Sequence, residues 1–204
     1  MPHPTTRRTA LLLLAAPILL AGPAVTGRAW AAPADDPLVA RAIGYLDGLT
    51  SVKGRFQQTN EKGGEADGTF YLARPGRARF EYDPPSGLVI TCDGRTITLS
   101  DSRRGAFQHV ALSSTPLAVF LSDHIRLDRG AQVTRVDRSE GGFSITARGP
   151  QSAAGQITLY FTENPLRLTG WAVVDAQSRV TRVTLGPLAA ISPPPDSFFS
   201  QAAR

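Results

Sequence analysis

From Val52 onward the hydropathy of this chain repeats every second residue. Ala78, Phe80 and Tyr82 alternate with Arg77, Arg79, Glu81 and Asp83. Successive side chains of an extended strand point to opposite faces, so this stretch carries one apolar face and one charged face. The pattern recurs at Gly68, Phe70 and Leu72, at Leu88, Ile90 and Cys92, and at Ile97 and Leu99. It continues at Phe143 and Ile145, at Ile157, Leu159 and Phe161, and at Leu166 and Leu168 before the run from Gly170 to Val174. Val183 and Leu185 close the series. Turn residues separate the runs: Lys62-Gly63-Gly64, Asp83-Pro84-Pro85-Ser86-Gly87, Asp93-Gly94, Glu140-Gly141-Gly142 and Asn164-Pro165. Short strands at regular spacing with tight turns predict a meandering antiparallel sheet.

Two segments depart from that period. Asp35-Asp36-Pro37 places an acidic N-cap before a proline at the first helical position, and Val39, Ala42, Ile43, Leu46 and Leu49 follow at helical spacing. This helix is expected to end near Thr50-Ser51. Ser114-Thr115-Pro116 then introduces a run without alternation, Leu117 to Leu121, which reads as a short helix inserted between strands. A sheet with one apolar face and so little helix to cover it buries that face by curling. The alternation is the same whether the space inside is filled or hollow.

The first 31 residues read as a leader. Arg7 and Arg8 precede the apolar run Ala10 to Ala21, and Ala29-Trp30-Ala31 has the pattern of a signal-peptidase site. The run is too short for a membrane-spanning helix, which needs about 20 residues, and Pro17 interrupts it. Arg7-Arg8 is compatible with either the general or the twin-arginine export route. Cleavage removes three arginines and no acidic residue, so the formal charge falls from +5 to +2. Nucleic acid is therefore an unsuitable partner. Residues 32–204 are long enough for one domain with its own core, and no linker separates a second. Cys92 is the lone cysteine, so stability in an oxidising compartment has to come from packing. With no lipobox cysteine after the leader, the expected product is released and not lipid-anchored.

Residues for covalent chemistry are sparse. Beyond the leader the histidines are His109 and His124, neither in a metal-ligand spacing, and no nucleophile elbow or nucleotide-binding glycine loop occurs. Glu61, Glu65, Glu81, Glu140 and Glu163 fall at turns or on polar strand faces. No catalytic residue, metal site or cofactor is expected. The densest local signal is Leu72-Ala73-Arg74-Pro75-Gly76-Arg77-Ala78-Arg79-Phe80-Glu81-Tyr82. Arg74-Pro75-Gly76 reads as a hairpin turn. Arg74 also shares the pleat side of Phe70 and Leu72, where a guanidinium at the rim of an apolar face needs acceptors. Carbonyls at a helix end would serve, and would latch a helical cover over the sheet.

Assembled in order, these residues resemble the LolA family of periplasmic carriers of outer-membrane lipoproteins. The matching elements are Phe56-x-Gln58, Gly68-x-Phe70-x-Leu72-x-Arg74-Pro75-Gly76, Phe80-x-Tyr82-x-x-Pro85, Asp93-Gly94, Thr115-Pro116 with Phe120-Leu121, and Asp196-x-x-Phe199. They span about Asp36 to Phe199. Ala78 stands where relatives usually carry a larger apolar residue, and Ile97 and Leu99 stand where an aromatic commonly follows the Asp-Gly turn. The resemblance implies a mainly β fold: an incomplete, open antiparallel β-barrel with a short α-helical lid over a hydrophobic cavity. It implies Arg74 as the lid latch, and Val39, Ile43, Leu46, Leu117, Phe120 and Leu121 as lid residues. Phe70, Leu72, Phe80, Tyr82, Ile90, Ile97 and Leu99 are the corresponding cavity candidates. The implied partners of a monomeric periplasmic carrier are acylated lipoproteins, an inner-membrane ABC-type releasing complex and an outer-membrane lipoprotein acceptor. An envelope module that senses lipids or lipoproteins is the alternative, with a periplasmic hydrolase behind it.

Overall fold

A computed structural model of the protein describes residues 34, 36–121, 125, 131–149 and 155–200. Residues 1–31, expected to be a leader, together with His124 and residues 201–204 lie outside the described residues. Among these residues the order begins with a helix, α1 (Pro37–Gly48), and six strands: β1 (Ser51–Asn60), β2 (Glu65–Ala73), β3 (Arg77–Tyr82), β4 (Leu88–Asp93), β5 (Thr96–Asp101) and β6 (Ala106–Ala111). A 3₁₀ turn at Leu112–Ser114 and the one-turn helix α2 (Ala118–Leu121) follow. The second half holds β7 (Gln132–Ser139), β8 (Gly142–Arg148), β9 (Gln156–Glu163), β10 (Leu166–Val174), β11 (Val180–Leu185) and β12 (Ala189–Ala190), and ends in a 3₁₀ turn at Asp196–Phe199.

The strands form one twelve-stranded antiparallel sheet in the order β6-β5-β4-β3-β2-β1-β11-β10-β9-β8-β7, with β12 also pairing with β1. Two meanders are thus zipped together along β1 and β11, leaving β6 and β7 as the open edges. The sheet is strongly curled. Four strand spacings of about 4.8 Å separate β3 from β10, roughly 19 Å along a flat sheet. Yet the Phe80 and Trp171 rings, one on each strand, lie 6.1 Å apart across the concave side.

Local chemistry sets the element ends. Asp36 caps α1 by accepting the amide of Leu38 at 3.0 Å. The helix closes at Gly48, two residues before the expected end, because β1 already begins at Ser51. Its buried stripe of Leu38, Val39, Ala42 and Leu46 faces the sheet. The inserted helix starts at Ala118, one residue later than the hydropathy run, after Thr115 donates back to the Leu112 carbonyl. At Gly68 a Cβ would sit 2.3 Å from the Glu81 carbonyl and 2.5 Å from the Phe56 ring, so only glycine lets that ring lie flat on β2.

Candidate functional site: the covered concave face

The seven cavity candidates all lie on the concave face of β2–β5, and α1 and α2 pack over the same apolar cluster. Strand pairing arranges them in rows. Ala78, Cys92 and Ile97 face one another across β3, β4 and β5, and are exposed by only 0%, 3% and 6%. Leu72 belongs to that covered row, opposite Ala78. The next row, Phe80, Ile90 and Leu99, is half-buried, although it is registered on the same face. The apolar interior is therefore sealed at the end nearest the β2–β3 turn and reachable one row further along. Phe70, opposite Phe80 at the β2 end of the same row, is fully buried, and Tyr82 is buried one row further on.

Of the lid candidates, Val39, Leu46, Phe120 and Leu121 are buried, whereas Ile43 and Leu117 are half-buried. Phe120 reaches the middle of the face, 5.5 Å from the Trp171 ring, which lies 5.7 Å from Phe70. Phe70 and Phe80 approach to 4.9 Å, and Phe56 meets Phe80 at 5.4 Å and Tyr82 at 5.1 Å. The helices' own side chains thus occupy the middle of the concave face. Inside this apolar row the Tyr82 hydroxyl donates to Gln58 Oε1 at 2.7 Å. Burial pushes the Tyr82 phenol up to about 12.

Arg74 stands in the turn between β2 and β3. Its Nε donates to the Leu46 carbonyl in the last turn of α1 at 3.1 Å, and its Nη2 to the Phe120 carbonyl in α2, also at 3.1 Å. The guanidinium carbon lies 5.6 Å from the Phe120 ring centre. Burial lowers the Arg74 pKa and the charge of Asp47 opposes that shift; arginine remains charged at any physiological pH. One side chain thus contacts both helices and the rim of the sheet. The other end of α1 is tied by exposed ion pairs, Arg138 to Asp36 and Arg41 to Glu163, each at 2.7 Å.

Three features escaped the sequence reading. The hydropathy pattern holds Trp171 only as part of the strand run, because alternation from Leu166 and Leu168 puts Gly170 and Ala172 on the inner face. A β-bulge between Leu168 and Gly170 shifts the register by one residue and turns Trp171 inward. Arg79, assigned to a charged outer face, is almost fully buried beneath the C-terminal 3₁₀ turn. A groove of about 570 Å³ opens between α1 and the β10–β11 ends, lined by Tyr45, Leu166, Leu168, Leu185, Pro187 and Leu188. None of the cavity candidates lines it. Among the described residues no group of three or more His, Cys, Asp or Glu side chains is placed to hold a metal ion. No helix there is long and apolar enough to cross a membrane.

Residues 47–202 match the family described as outer membrane lipoprotein carrier protein LolA. The chain belongs to the LolA family. An outer-membrane lipoprotein carrier protein of Chromobacterium violaceum is 30% identical over 142 residues, covering 66% of this chain and 67% of that protein. One of the same description from Alkalilimnicola ehrlichii is 39% identical over 62 residues, 28% of this chain and 29% of that one. Among solved structures, a LolA superfamily protein from Nitrosomonas europaea superposes with a TM-score of 0.47 at 12% identity, covering 79% of this chain and 97% of that one.

Proposed function

We propose that this LolA-family protein is a periplasmic carrier that shields the acyl chains of lipoproteins. It takes them from an inner-membrane ABC-type releasing complex and passes them to an acceptor at the outer membrane. In this reading residues 1–31 are the export signal and residues 32–204 the carrier domain. The observation that carries the proposal is the half-buried row Phe80, Ile90 and Leu99, an apolar entry beside a concave face otherwise sealed by two helices that share one arginine.

The energetics suit a carrier. Each acyl methylene left in water costs about 0.8 kcal/mol, so a lipid anchor does not cross an aqueous space unescorted. Opening the lid exposes Val39, Leu46, Phe120 and Leu121, at about 1.5–3 kcal/mol for each buried side chain, or about 6–12 kcal/mol together. Burial of roughly 8–15 methylenes offsets that, about what one long acyl chain supplies and less than a multi-chain anchor does. Binding is then favourable but weakened by the lid, which leaves a downhill step to an acceptor whose site needs no opening. Arg74 is the latch of this lid, releasing the Leu46 and Phe120 carbonyls when α1 and α2 swing away.

The test is reconstitution. Inner-membrane vesicles holding a labelled lipoprotein and the releasing complex are incubated with the protein and ATP, and the supernatant is examined for a one-to-one complex. A soluble complex is the expected result. No release, under conditions where a known carrier is loaded, overturns the carrier reading in favour of a lipid-sensing module of the same fold.

A further inference from the structure

The outer face of β3 is covered in a way that the carrier reading does not use. Arg77 and Arg79 alternate with Ala78 and Phe80, so they point away from the concave side. Outward-facing arginines on a sheet normally stand in water. Here the 3₁₀ turn Asp196–Phe199 lies on them. Phe198 packs 4.7 Å from the Arg79 guanidinium and 5.0 Å from the Tyr71 ring, and its carbonyl accepts from Arg79 Nη1 at 2.9 Å. Phe199 is completely buried, with the Arg77 guanidinium 5.5 Å from its ring centre. Arg77 Nη1 pairs with Asp196, and Arg77 Nη2 donates to the backbone carbonyl of Arg74 at 3.4 Å.

That last bond joins the back of the sheet to its front. Arg74 follows the last residue of β2, and its amide carries the β1–β2 ladder one residue further by donating to Thr50 O at 2.8 Å. Beyond that rung its carbonyl is held from the other side of the sheet by Arg77. The turn is tight: Gly76 has φ 69°, a Cβ there would lie 2.7 Å from Gly94 Cα, and 3.5 Å from the Leu121 carbonyl of α2. A backbone pinned on one side of the sheet aims the Arg74 side chain on the other. The Asp196 side chain is 89% exposed, and an ion pair so placed adds little stability of its own. Its geometric effect is to orient the planar fork of Arg77, which then reaches Arg74.

We infer that the Asp196–Phe199 turn belongs to the lid mechanism: it holds Arg77 as a positioning residue for Arg74, and so sets how readily α1 and α2 open. The Asp196-x-x-Phe199 element thereby acquires a role at a distance from the concave face. The inference rests on the proposed latch role of Arg74, and its test uses a readout that needs no cargo.

Amide hydrogen exchange is measured on the purified protein and on Arg77→Gln, Arg74→Leu and the double variant, comparing α1 with β8 and β9. Arg77→Gln is expected to speed exchange in α1 about tenfold with β8 and β9 unchanged, and to add less than twofold in the Arg74→Leu background. No change in α1, equal acceleration in both backgrounds, or acceleration of β8 and β9 overturns the inference. If Arg77→Gln does not fold, Asp196→Asn replaces it, with about threefold faster α1 exchange expected and an unchanged rate overturning the inference. Binding of a fluorescent dipalmitoylated lipopeptide is followed on the same variants. Coupled exchange in α1 without lipopeptide binding supports the positioning role while refuting the carrier reading.

Discussion

Replacing Arg74 by leucine separates lid opening from global stability. Among the described residues the guanidinium donates charge-assisted hydrogen bonds at 3.1 Å to the Leu46 and Phe120 carbonyls. Bonds from charged donors stabilise by about 1.5–3 kcal/mol each. Because burial already disfavours the Arg74 charge, the lower figure applies to both. The loss is then about 3 kcal/mol, or on the order of 100-fold in the lid-opening equilibrium. Leu46 O retains the Leu49 amide at 3.1 Å, so the substitution does not strand that carbonyl. The Arg74 side chain takes no part in the strand ladder, and leucine suits the apolar rim beside Phe120. Hydrogen exchange read residue by residue is the assay. Amides of α1 are expected to exchange about two decades faster, with those of β8, β9 and β10 at their original rates. Exchange in α1 within threefold of the original protein would refute the latch argument. So would uniform acceleration across the sheet, which would make Arg74 a general structural residue. Lipoprotein loading and release by the same variant are expected to shift, because the offset provided by lid closure has shrunk.

Three further outcomes are expected. Tyr82, raised to about 12 from the ordinary 10 by burial, contributes stability that is fully present below pH 10 and lost as pH rises through 12. The loss is about 2–3 kcal/mol, read as the difference in denaturant midpoint between pH 9 and 12, and a Tyr82→Phe variant with the same pH dependence would contradict this assignment. Gly76→Ala, at φ 69° and with its new Cβ 2.7 Å from Gly94 Cα, is expected to destabilise the protein by at least about 2 kcal/mol, and an unchanged melting temperature would refute the close-approach argument. Cys92 is buried and burial raises its thiol pKa, so a thiol-reactive dye at pH 8 should label the native protein only as it opens; immediate stoichiometric labelling would contradict its placement.

Much of this molecule follows from local patterns. The period-two alternation along β2, β3, β4 and β5 depends only on the geometry of an extended chain, and it places Phe70, Leu72, Phe80, Tyr82, Ile90, Ile97 and Leu99 on one face. The Asp36-Pro37 start of α1 is equally local, since an N-cap acts on an amide two residues away. Trp171 was not legible because a single bulge inverts every assignment after it, and a bulge is decided by pairing with β9. The cover over Arg79 was not legible either, since it depends on a contact between residues 119 positions apart.

The sequence by itself determined the class of fold, the apolar face and the one arginine at its rim, because each arises from interactions among near neighbours. The tertiary structure decided which row of that face stays reachable, which two carbonyls Arg74 holds, and what lies across the back of β3. Those depend on how far the sheet curls and where the helices come to rest, and that is settled by packing between segments far apart in the chain.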